Sequence, residues 1–269
     1  MKKLYVFVIL FLIFFSCNSQ EKKDKKKFEI INEVKTTSVK NQGRSGTCWS
    51  FATCSFVETE ALRMGKGEHD LSEIYIVRHC YFDKAQKFIR LHGKSNFSEG
   101  GQAHDFVNVS VNYGLVPEQI YKGLNDGSKI HNHTEMFDIL DASLKSIIKK
   151  RKITNKWKEL TNSILDIYLG KIPEKFIYEN KEYTPLSFMN EVIAFNPDDY
   201  VELTSYSHHK FYEKFNLEIP DNWSDNYYYN LPIDDLMRVF YYALENNFSI
   251  DWDGDVSEKK FEHAKELLI

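Results

Sequence analysis

Apolar residues recur at helical spacing along much of this chain, and a dense run of them follows residue 47. Trp49, Phe51, Ala52, Phe56, Val57, Ala61 and Leu62 lie around most of a helix predicted over residues 48–64, which is expected to be largely buried. Gly65 and Gly67 supply its stop. A second helix is predicted near 72–90, and a third over 105–113, ended by Gly114 and Pro117. Met136, Ile139, Leu140, Leu144, Ile147 and Ile148 repeat the helical spacing. So do Trp157, Leu160, Ile164 and Ile167, before Gly170 and Pro173 break the pattern. Thr184-Pro185 has the cap-then-proline order that opens a short helix, closed at Pro197. An aromatic-rich, partly extended stretch then runs to Trp223. Over 233–246 a helix returns, with Leu236, Val239, Phe240, Ala243 and Leu244 on one face. Phe248, Ile250 and Trp252 then alternate with Ser249, Asp251 and Asp253, the pattern of a half-buried strand.

The N-terminus follows a different logic. Met1-Lys2-Lys3 precedes an unbroken apolar run over 4–15, too short to span a bilayer and of the length of a signal-peptide core. With Ser16-Cys17 behind it, segment 1–17 resembles a bacterial lipoprotein signal in which Cys17 is acylated, leaving 18–30 as a charged linker. Plain secretion and a retained anchor stay open as alternatives. The expectation is an exported bacterial protein, periplasmic or anchored to a membrane by lipid.

Of the 269 residues 42% are apolar, enough for a core in one or two domains. The 20 phenylalanines and 16 tyrosines predict an aromatic-rich interior. Lys plus Arg is 35 against 39 for Asp plus Glu, a net −4 that offers no case for nucleic-acid binding. Cys17, Cys48, Cys54 and Cys80 have no spacing that suggests a disulfide framework or a CxxC metal site. Cys48 and Cys54 point to different sides of one helix, and Cys54 and Cys80 read as buried small hydrophobes. His131-x-His133 is a weak metal signal, and the Asp251, Asp253, Asp255 series has its glycine misplaced for a calcium loop. No metal or cofactor site is expected.

Residues 41–52, Asn-Gln-Gly-Arg-Ser-Gly-Thr-Cys-Trp-Ser-Phe-Ala, carry the chemistry. A thiol attacks a carbonyl as its thiolate, and the first turn of a helix favours negative sulfur there through unpaired N–H groups and the macrodipole. Gly43 and Gly46 suit a tight loop upstream. Gln42 can fold across that loop and, with the Cys48 N–H, form an oxyanion hole.

At these residues the chain resembles the papain-like cysteine peptidases, and within them the bleomycin hydrolase or aminopeptidase C branch. Ser45, flanked by Arg44, stands where papain-type members carry a second, disulfide-forming cysteine. Asp70-Leu71-Ser72-Glu73 is similar to the segment after the family's first helix. Gly100-Gly101-Gln102, followed by Asn112-Tyr113-Gly114-Leu115-Val116-Pro117, is similar to its double-glycine strip and the helix end beyond. The stretch from Tyr206 to Trp223 resembles the branch's long insertion.

The resemblance implies an α+β, papain-like cysteine peptidase fold: a helical domain over 31–121, a mostly helical insertion over 122–232, and from 233 to 269 the start of a β-rich half that is incomplete. It implies a cysteine peptidase, of aminopeptidase type in the nearest relatives, with Cys48 and Gln42 catalytic, substrate contacts at Gly100, Gly101 and Trp49, peptide substrates and a homo-oligomer. The family completes its site with a histidine and an Asn-Ser-Trp-Gly asparagine. No such tetrapeptide occurs, and none of the 9 histidines sits in a segment like the family's, although His104 lies near the strip. The expectation is a C-terminally incomplete, impaired peptidase. The alternative is a non-catalytic peptide-binding or scaffold protein using half a cleft.

Overall fold

A computed structural model describes residues 29–125 and 127–254, and beyond them the backbone of 261–262 and 267–268. Segment 1–17, expected to be a signal, lies outside the described residues, Cys17 with it. The chain divides into Met1–Asn32 and Glu33–Ile269, and everything below concerns the second unit.

Three helices come first: α1 (Cys48–Arg63), α2 (Glu73–Arg90) and α3 (Ala103–Tyr113). They pack on one another, and α4 (Thr134–Ile147) and α5 (Lys156–Leu169) also pack on α2. The central helix α2 starts where Ser72 Oγ accepts the Tyr75 N–H at 3.1 Å, and its buried residues span both sides, from Ile74 and Tyr81 to Phe88. Arg78 crosses to α5, its guanidinium 2.7 Å from Asp166 and 3.1 Å from Asn162. One core joins Trp49, Ile74, Tyr81 and Phe106 to Met136, Leu140, Leu165 and Phe188. Residues of the helical half and of the insertion thus share a single interior. Tyr75, Tyr81, Phe106 and Phe188 are wholly buried there, each contributing about 1.5–3 kcal/mol of transfer free energy.

The buried face of α1 differs from expectation. Phe51 and Phe56 are only half-buried and Ala52 is exposed, whereas Ser50, Thr53, Glu58, Thr59 and Glu60 are buried. These polar groups have partners that the apolar pattern does not reveal. Glu58 accepts from Thr37 Oγ1 at 2.6 Å, Lys40 Nζ at 2.7 Å and the Leu71 N–H at 2.7 Å. Glu60 takes the Arg63 guanidinium at 2.8 Å.

After α5, Gly170 caps the helix at φ +88 and a hairpin follows, β1 (Phe176–Tyr178) paired antiparallel with β2 (Lys181–Tyr183). Thr184 Oγ1 accepts the Ser187 N–H at 3.2 Å to open α6 (Pro185–Phe188). This helix continues as one π turn (Met189–Ile193) and stops at Ala194, φ +57, short of Pro197, which instead begins a 3-10 turn. A three-stranded sheet then forms with order β3 (Leu203–Thr204), β5 (Tyr227–Asn230), β4 (Lys214–Asn216), parallel on one side of β5 and antiparallel on the other.

α7 (Ile233–Glu245) has the expected amphipathic spacing but no buried residue. The predicted strand over 248–252 does not form. Without a partner strand among the described residues, the segment runs irregularly and is held by side chains: Asp251 Oδ2 meets Thr53 Oγ1 at 2.7 Å, and Arg63 lies 4.1 Å over the Phe248 ring. The short pair β6 (Phe261–Glu262) and β7 (Leu267–Leu268) follows. No helix of the described residues is long and apolar enough to cross a membrane.

Candidate active site

The loop entering α1 is fixed by its own polar atoms. Asn41 Oδ1 accepts the Gly43 N–H at 2.8 Å, and Gly43 sits at φ +65 with no room for a side chain, since a Cβ would lie 2.4 Å from the His131 carbonyl oxygen. Arg44 N–H donates to that carbonyl at 2.7 Å, and His133 N–H returns to the Arg44 carbonyl at 3.1 Å. Ser45 is buried; its hydroxyl donates to the Gln42 carbonyl at 2.8 Å and lies 2.6 Å from Thr47 Oγ1. Glu99 accepts the Gly46 N–H at 2.7 Å. Upstream, the Lys40 ammonium reaches Glu58 at 2.7 Å, Asp70 at 2.5 Å and Glu73 at 3.0 Å, anchoring the irregular segment that delivers Gln42.

Cys48 is the first residue of α1 and is exposed, while Cys54 and Cys80 are buried, and all three are free thiols. Thr47 caps the helix without a side-chain hydrogen bond. Partial desolvation pushes the Cys48 thiol above its ordinary pKa, with the carboxylates of Asp253 and Asp221 adding in the same direction. The backbone N–H groups of Trp49 and Cys48 pull the other way, as a helix start should, but do not win. Cys48 and Gln42 line one cavity of about 490 Å³, together with Val39, Lys40, Asn41 and Phe51. The Gln42 amide hydrogen-bonds no other described residue, so its donors are uncommitted. A larger cavity of about 680 Å³ lies between α2 and Trp223-Ser224; neither Cys48 nor Gln42 lines it.

No hydrogen bond joins the Cys48 sulfur to an imidazole of a described residue. His104 is buried and faces Glu202 at 2.9 Å and Tyr228 at 3.4 Å. His79 stacks on Tyr113 at 3.9 Å, with burial pushing its pKa down to about 3. His69 is committed to Tyr178 and to the Lys66 carbonyl, both at 3.0 Å. The His131 ring meets Phe51 edge-on at 6.0 Å. His263 lies outside the described residues.

The double-glycine strip is braced from below and from the side. Trp49 is 7% exposed, and its indole N–H donates to the Glu99 carbonyl at 3.1 Å. A Cβ on Gly101 would lie 2.8 Å from that indole, so Trp49 underlies the strip and is not on its open face. Lys84, wholly buried on α2, donates to the carbonyls of Ser98 and Gly100. Asp105 accepts from the Gln102 N–H at 3.1 Å and the Trp223 indole at 2.8 Å. The Asp221 carboxylate covers Gly100, where a Cβ would meet Oδ2 at 2.6 Å. Lys87, one turn beyond Lys84, donates to the Trp223 carbonyl at 2.5 Å. The segment 219–225 is therefore a side wall of the strip. Sequence reasoning missed Lys84, Lys87, Asp105 and Asp221; the Ile-Pro-Asp-Asn-Trp run was the available signal, without a way to tell what it packs on.

Comparison with known proteins agrees with this arrangement. The Peptidase C1-like family matches residues 12–268, and the chain belongs to that family. Aminopeptidase G of Lactobacillus delbrueckii subsp. lactis is 23% identical over 83% of this chain and 60% of its own length. The mitochondrial cysteine proteinase 1 of Saccharomyces cerevisiae is 22% identical over 86% of this chain and 57% of its own. The crystal structure of PepW from Lactobacillus rhamnosis superposes with a TM-score of 0.69 at 20% identity, covering 82% of this chain and 59% of that one. The fold is papain-like, of the aminopeptidase C and bleomycin hydrolase branch. The chain spans about 60% of the length of the first curated relatives it matches.

Proposed function

We propose that this Peptidase C1-like protein is a thiol peptidase of aminopeptidase type, with Cys48 as nucleophile. One observation carries the reading: an exposed thiol heading α1 opens onto the same cavity as the uncommitted amide of Gln42. In the acylation step Cys48 Sγ would bond to the scissile carbonyl carbon, and the carbonyl oxygen would take its negative charge toward the Gln42 side-chain N–H and the Cys48 backbone N–H. The C–N bond would then break, the amine leaving with a proton from a general acid, and water would cleave the thioester. The peptide would run along the strip at Gly100 and Gly101, where the absence of side chains lets the backbone pack against Asp221 and Trp49. On this reading burial, which raises the Cys48 thiol, would slow its attack at neutral pH unless an imidazole pairs with the thiolate, and a chain acting without one would be an impaired peptidase. The acylated Cys17, the exported location and a homo-oligomer are carried forward as parts of the same proposal; mass spectrometry of the mature N-terminus addresses the first.

The test is labelling by a peptidyl epoxide followed by mass spectrometry. Expected is an adduct on Cys48, saturating with reagent concentration and absent in Cys48→Ser. A rate that rises linearly, no faster than with a warhead lacking the peptide, would overturn the reading. The raised thiol favours a second reading, a peptide-binding protein without turnover. Saturable peptide binding with no release of amine from any peptide would select it.

A further inference from the structure

Asn230 is wholly buried, and its side chain is spent on one surface turn. Its Oδ1 accepts the Tyr206 N–H at 2.8 Å, and its Nδ2 faces the carbonyls of Tyr206, His209 and Lys210 at 2.9, 3.2 and 3.2 Å. Three backbone residues of the turn are thereby fixed from inside the protein. What the turn presents is a pair of imidazoles. The His209 ring stacks on Phe215 at 3.9 Å and 19°, and the Tyr206 ring stands edge-on to His208 at 5.5 Å. The two histidine rings lie 4.3 Å apart, and Glu218 Oε2 approaches His209 Nε2 at 3.2 Å. One ligand atom from each of His208, His209 and Glu218 falls within 4.8 Å of the others.

We propose that His208, His209 and Glu218 bind a divalent transition-metal ion of the zinc class. Two neutral imidazoles and one carboxylate form a donor set suited to zinc, whereas calcium and magnesium prefer oxygen alone. A ring orientation set by stacking, on a turn set by a buried amide, is the support that metal ligands need. The bland account is a surface histidine–glutamate ion pair. It uses His209 and Glu218 but leaves His208, exposed beside them with a ligand atom within 4.8 Å of both, without a role. Bound metal would tie the 206–210 turn to the end of β4, directly before the segment 219–225 that walls the strip. The proposal stands independently of the peptidase reading.

Zinc chloride titrated calorimetrically into the untagged full chain, with Cys48 first alkylated by iodoacetamide to remove its competing thiol, is the test. Expected is one equivalent bound, abolished in His209→Ala, weakened at least about tenfold in Glu218→Gln and unaltered in His92→Ala. X-ray absorption of the complex should show nitrogen and oxygen neighbours at about 2.0–2.1 Å and no sulfur. Glu218 is exposed, so Glu218→Gln keeps the test valid if His209→Ala misfolds. No binding at micromolar zinc, sulfur in the first shell, or an affinity unmoved by Glu218→Gln would overturn the proposal.

Discussion

Replacing Lys84 by methionine isolates the brace beneath the strip. The side chain is wholly buried, and its ammonium holds two carbonyls, of Ser98 and Gly100, with the Trp223 ring 5.7 Å away. A hydrogen bond from a charged donor contributes about 1.5–3 kcal/mol. Both acceptors are only part-buried, so water replaces some of that on mutation, and removing a buried ammonium returns part of its desolvation cost. The net is about 2 kcal/mol, localised at the strip, or about a thirtyfold shift in its opening equilibrium. Hydrogen exchange followed by mass spectrometry should show the 100–103 amides exchanging about thirtyfold faster, while α5 stays protected. Labelling by a peptidyl epoxide should lose apparent affinity by a similar factor, with iodoacetamide alkylation of Cys48 unchanged because α1 is untouched. Unchanged exchange at 100–103 would refute the brace whatever the labelling shows.

Asp253 raises the Cys48 thiol, so Asp253→Asn should move the midpoint of the alkylation rate–pH profile to lower pH; an upward or absent shift contradicts the assignment. Glu118 is raised from 4.5 to about 8, chiefly by burial and then by Glu73 and Asp70. The native state therefore holds a proton that the unfolded chain has released between these values, and stability should fall as pH rises from about 4.5 to 8. Denaturant melts at pH 5 and pH 8 should show that decline, and Glu118→Gln should flatten it. Gly43→Ala must place a Cβ 2.4 Å from the His131 carbonyl at φ +65, and should lower stability by more than about 1 kcal/mol in thermal melts.

The helix that Cys48 heads and its neighbours were legible because local spacing and local caps specify them. α1 begins at Cys48 as predicted, Ser72 caps α2, and Thr184 with Pro185 opens α6. The buried face of α1 was not legible, because Glu58 and Glu60 look like solvent-facing residues until Lys40 and Tyr200 are brought to them from elsewhere. The same holds for the strip. Gly100 and Gly101 announce a close approach, but that Lys84 lies below and Asp221 beside them depends on contacts more than a hundred residues apart in one case. Alternation over 248–252 misled, since a strand needs a partner as well as a pattern. His208 and His209 are visible as neighbours; Glu218 joins them only once the chain turns through β4.

Ser45 holds this loop through its hydroxyl, which donates to the Gln42 carbonyl. A sulfur–sulfur staple at that place would open under the same dithiol that keeps a nucleophilic cysteine from oxidising. An oxygen has no such redox chemistry, so a dose of dithiothreitol can regenerate Cys48 while the loop beside it keeps its shape.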